Sequence, residues 1–106
     1  MIRAEFYRTK ADTLTGLRIS GHAGLAEYGY DICCASVSSA VELTANTLTD
    51  VYKIKAEVKV NENEIIIKPE NDGDADADKL LLGLLTHLTF LSEDFPGRIK
   101  ITITEV

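Results

Sequence analysis

From Cys33 to Lys55 the chain runs without a single glycine or proline, and Val37, Val41, Leu48 and Val51 recur on one helical face, with Ala40 and Thr44 filling it. That helix divides two pairs of segments with a different period. Before it, Ile2, Ala4 and Phe6 alternate with Arg3, Glu5 and Tyr7, and Leu17 and Ile19 flank Arg18; "TKADT" lies between as a hairpin turn. After it, "EVKV", the turn "NEN" and "EIIIK" read as a second hairpin, closed by Pro69. A second helix is predicted from about Asp76 to Glu93, with Leu80, Leu81, Leu84, Leu85, Leu88 and Leu91 as its stripe. Pro96 stops it by biasing Phe95 out of the helical region. Ile99, Ile101 and Ile103 make a last strand. The order β-β-α-β-β-α-β predicts an α+β fold, with two helices on one face of a mostly antiparallel sheet whose edges are open.

At 106 residues this is one domain, spanning 1–106, with one core. No apolar run reaches the roughly 18 residues of a membrane span, and "MIRAEFYRTK" lacks the apolar region of a signal peptide, so a cytoplasmic location is expected. A net charge of −6 with scattered Lys and Arg argues against direct nucleic-acid binding and suits a basic partner.

Two metal readings fail on spacing. Asp72, Asp74, Asp76 and Asp78 resemble the start of a calcium loop. The loop's required Gly and Glu would fall at 77 and 83, which are Ala77 and Gly83. These aspartates read instead as a solvated turn at the positive end of the second helix. For zinc, Cys33, Cys34, His22 and His87 are the only candidates, and adjacent helical cysteines project about 100° apart. His87 among leucines is expected to be partly buried. No metal site is expected.

Residues 21–34, "GHAGLAEYGYDICC", leave one further chemistry, a Cys–His nucleophile pair. An ordinary thiol of pKa about 8.5 is mostly protonated at neutral pH and has to be activated. With Cys34 in the first turn of the helix, free amides and the helix dipole would favour a thiolate and supply an oxyanion hole. His22, closing the second strand, would act as its base. Gly24 and Gly29 would make the loop from 23 to 32 pliable enough to close over a substrate. The competing reading is an inert, small apolar thiol at a helix start.

The compound motif bears on that choice. Gly21-His22-Ala23, then Gly29, Asp31, Cys34-Ala35 and Ser38 resemble the signature of the ribosomal-processing cysteine protease (Prp) family, and the resemblance extends along the chain in length and element order. It implies an endopeptidase that trims the N-terminal extension from the precursor of the twenty-seventh protein of the large ribosomal subunit. It also implies a homodimer with no metal or organic cofactor. Cys34, which precedes alanine, would be the nucleophile and His22 the general base and acid. Asp31 would either orient His22 or cap the helix, the cap being the plainer role. Ser38, one turn beyond Cys34, would hydrogen-bond in the site or simply pack. The substrate's aromatic residues would need an apolar groove, for which Tyr28 and Tyr30 are candidate walls beside Gly24 and Gly29. The alternative is a non-catalytic ribosome-assembly or peptide-binding module that takes a strand at an open sheet edge.

Overall fold

The computed structural model describes residues 1–21, 28–61 and 64–106, with residues 28–31 described through their backbone only. The elements follow the expected order: β1 (Ile2–Arg8), β2 (Leu14–Ser20), α1 (Tyr28–Asn46), a π-helical turn (Thr47–Val51), β3 (Ala56–Val60), β4 (Glu64–Pro69), α2 (Ala75–Asp94) and β5 (Ile99–Glu105). The sheet runs β3-β4-β2-β1-β5. Only the β1–β5 pair is parallel; β1–β2, β2–β4 and β3–β4 are antiparallel.

The alternation read from sequence is the alternation seen. Ile2, Ala4, Phe6, Leu17, Ile19, Ile65, Ile67 and Ile99 point to the helical face and are buried. They form one core with Cys33, Val37, Val41, Ala45 and Leu48 of the first helical run and Ala77, Leu81, Leu84 and Leu88 of α2. Each fully buried Leu, Ile or Phe contributes about 1.5–3 kcal/mol relative to exposure, so this face holds the domain together. The other face of the sheet stays polar. There Arg18 Nε donates to Glu64 Oε2 at 2.7 Å, and Tyr7 Oη donates to Glu5 Oε1 at 2.6 Å. The Tyr7 hydroxyl, then that of Thr104, holds the Glu5 carboxyl below its usual range, and Arg18 does the same for Glu64.

Three sequence expectations need correction. Val51 is 71% exposed rather than on the buried face. Tyr52 donates its amide to the Thr47 carbonyl at 2.9 Å, an i→i+5 bond that turns the chain less per residue and carries Val51 off the stripe. His87 is exposed on α2 rather than partly buried. The aspartates are not merely a solvated turn: Asp74 caps α2 by accepting from the Ala77 amide at 2.9 Å, while Asp78 accepts from the Leu14 amide at 2.8 Å and ties α2 to β2. Pro69 ends the second hairpin as expected. It lies past the Leu17–Ile67 pair where the β2–β4 ladder stops, so its missing N–H leaves no gap there.

Candidate active site

The end of the sheet that bears the motif is built by backbone contacts. The Ile2 amide donates to the Arg98 carbonyl at 2.9 Å, joining the starts of β1 and β5. β2 ends beside them, with Ser20 opposite both Arg3 of β1 and Glu64 of β4. Gly21 then takes φ +79°, and any Cβ there would run into the carbonyl oxygen of Met1. Only glycine turns the chain at this point without strain. The next residue is His22, which, like Gly24, lies outside the described residues.

α1 starts earlier than the sequence suggests. Its backbone is helical from Tyr28, so Tyr28, Gly29 and Tyr30 belong to a helical turn and the stretch 28–32 is not loop. A glycine at 29 weakens a helix by about 1 kcal/mol relative to alanine, and burial of Cys33, Val37 and Val41 outweighs it. Two corrections follow. Asp31 is the fourth helical residue rather than the N-cap, which would need non-helical backbone. Cys34 lies six residues beyond Tyr28, past the first turn that carries the helix's unpaired amides. The dipole's influence fades within that first turn, and the amides around Cys34 are engaged in the helix rather than open to an oxyanion.

The two thiols differ sharply. Cys33 is fully buried in the core, whereas Cys34 is half-buried. Burial, and then the neighbouring Cys34, push the Cys33 thiol up, while the positive charge of Arg98 pulls it down less strongly. Cys33 is therefore held as a neutral, packed thiol. Arg98 was not singled out in the sequence. It precedes β5, which pairs with β1, and its charge reaches Cys33. Ser38, also half-buried, lies one turn beyond Cys34 on the same side of α1.

No group of three or more His, Cys, Asp or Glu side chains among the described residues could hold a metal ion. His87 lines a groove of about 660 Å³ between α1 and α2, with Ser36, Ala40, Leu43 and Gly83. No helix among the described residues is long and apolar enough to cross a membrane.

Comparison with known proteins agrees with this architecture. The chain shares 28% identity with SMU.848 from Streptococcus mutans, whose crystal structure matches with a TM-score of 0.88 over 100% of this chain and 99% of that one. The ribosomal processing protease Prp from S. aureus, crystallised with a substrate peptide, matches at 20% identity and a TM-score of 0.90 over 98% and 100% of the two chains. The same protease with a covalently linked product peptide matches at 21% identity and a TM-score of 0.87, again over 98% and 100%. No curated protein matches. The sequence model of the family described as "Cysteine protease Prp" matches residues 1–100. The chain thus belongs to the Prp family and is a cysteine protease.

Proposed function

We propose that this protease removes the N-terminal extension from the precursor of the twenty-seventh protein of the large ribosomal subunit, using Cys34 as nucleophile and His22 as general base and acid. The observation that carries the reading is the contrast between the thiols: at the motif's cysteine pair, Cys33 is sealed in the core and Cys34 is only half-buried. Support for the substrate comes from the S. aureus Prp that was crystallised with a substrate peptide.

His22 takes the Cys34 proton, and the sulfur adds to the scissile carbonyl. Collapse of the tetrahedral intermediate breaks the C–N bond, and the imidazolium protonates the departing amine. Water, deprotonated by His22, then hydrolyses the thioester and returns the thiol. With Cys34 a turn inside α1, its activation rests on His22 more than on the helix end. Asp31 orients His22, Ser38 lines the site, and Gly24, Tyr28, Gly29 and Tyr30 contact the substrate. The enzyme works as a cytoplasmic homodimer without a cofactor. Its net charge of −6 suits a basic ribosomal protein, and it does not bind nucleic acid directly.

The test is to incubate the protein with the extended precursor and weigh the product. A product shortened at its N-terminus, with no shortening by His22→Ala, is expected. An intact precursor after prolonged incubation with the wild type would overturn the reading.

A further inference from the structure

β5 is an edge strand, and among the described residues no strand pairs with its outer side. The Ile2 amide donates to Arg98 at 2.9 Å and the Val106 amide to Arg8 at 2.8 Å, so the even-numbered residues of this segment bond to β1. Alternate residues of a strand turn the other way, and the N–H and C=O groups of Ile99, Ile101, Ile103 and Glu105 point off the sheet. The side chains divide by face as well. Ile99 is buried on the helical face, Ile101 next along that face is half-buried, and Ile103 is 50% exposed. On the polar face Lys100 is exposed, stands opposite Arg3, and has no hydrogen bond or ion pair among the described residues. Like charges at paired strand positions are destabilising.

This strand is complementary to itself. Laid antiparallel on a second copy with Thr102 opposite Thr102, all 7 residues find a partner. Ile101 of each copy then meets Ile103 of the other, with the outward main-chain groups of both exchanging hydrogen bonds and the two side chains sharing the helical face. Lys100 meets Thr104, whose hydroxyl donates to Glu5 Oε2 at 3.0 Å, so the unmatched ammonium arrives beside a carboxylate. Glu105 falls opposite Ile99, next to Arg98. The other edge, β3, is 5 residues long, and its Glu57 and Lys59 already pair with each other at 3.6 Å.

Building on the homodimer reading, we propose that two copies of the chain join through β5, edge to edge and antiparallel about Thr102, into one continuous sheet. The occupant of the edge is a second copy because the strand's own register supplies both the apolar match and the charge match. The net charge of −6 opposes association at long range, where salt screens it, but the edge itself carries one lysine and one glutamate. The join closes an open edge and covers Ile103. Arg98 opens β5 at the end of the sheet that bears the motif, so Glu105 of each copy borders the candidate site of the other.

Sedimentation of the full protein reads the association. The wild type is expected to be a dimer. Ile103→Pro removes an outward N–H without touching the β1–β5 ladder and should weaken the dimer about tenfold or more. Lys100→Glu sets two carboxylates together and should weaken it as well. Val58→Pro, at the other edge, should leave it intact. Register is read by mild oxidation in a Cys34→Ala background. Thr102→Cys lies opposite its own copy in a non-hydrogen-bonded pair, with Cα atoms about 4.5 Å apart, and should form an intermolecular disulfide. Thr104→Cys, opposite Lys100, should not. A dimer of wild-type affinity in Ile103→Pro, one that dissociates in Val58→Pro instead, or one that persists with Thr102→Cys unlinked would each overturn the β5 join while leaving the homodimer reading in place. So would cross-linking through Thr104→Cys in preference to Thr102→Cys. A wild type that stays monomeric at every concentration would overturn both.

Discussion

Gly21 stands against the backbone of Met1 so closely that a methyl group on it would overlap the Met1 carbonyl oxygen. The same residue has φ +79°, where side chains are strained. Gly21→Ala is therefore expected to destabilise the protein by about 2 kcal/mol or more and to displace the point from which the chain continues to His22. Thermal unfolding and kcat/KM should both fall. An unchanged melting temperature would show that the strand end relaxes freely.

Cys33 and Cys34 should separate by reactivity. Cys34 is expected to alkylate first and below pH 8, and Cys33 only on unfolding. The raised pKa of Cys33 also has a consequence for stability. Its folded-state pKa lies above the unfolded one, so its contribution is complete below the unfolded value, near 8.5, and is lost as pH rises from there through the folded value. Denaturant midpoints measured from pH 7 to pH 10 should fall for the wild type more steeply than for Cys33→Ala. Parallel curves would contradict the buried, neutral thiol.

The Leu14–Asp78 bond, at 2.8 Å, joins residues 64 positions apart and anchors the start of α2 to β2. Asp78→Ala leaves the Leu14 amide without that acceptor and should lower stability by about 1–3 kcal/mol, with Asp78→Asn retaining most of it. Asp74→Ala, removing the cap, should lower it by about 1 kcal/mol. Urea unfolding of the three variants checks the order.

Much of this fold was legible because its signals are local. Period-two alternation in Ile2 to Tyr7 and in Ile99 to Thr104, and the leucine stripe of α2, depend only on which side chains face one core. Strand order was not legible, since the parallel β1–β5 pair joins the two ends of the described sheet path and has no signature in either segment. Val51 misled because the i→i+5 turn at Thr47 changes the phase of a pattern read at 3.6 residues per turn. Asp31 misled because it is a good capping residue just before the apolar run, yet packing of Cys33 and Val37 extends the helix back to Tyr28. The choice between Cys33 and Cys34 rested on the motif in the sequence. In the structure it acquires a physical side, one thiol packed fully in the core and its neighbour half-buried.

The central claim is that Cys34 carries the chemistry and Cys33 does not. Its most direct test is the mass of the extended ribosomal precursor after incubation with each single variant. Cys33→Ala is expected to shorten the precursor at close to the wild-type rate, at a stability cost of about 1 kcal/mol for the lost core volume, and Cys34→Ala to leave it intact. Shortening by Cys34→Ala, with or without loss in Cys33→Ala, would contradict the account.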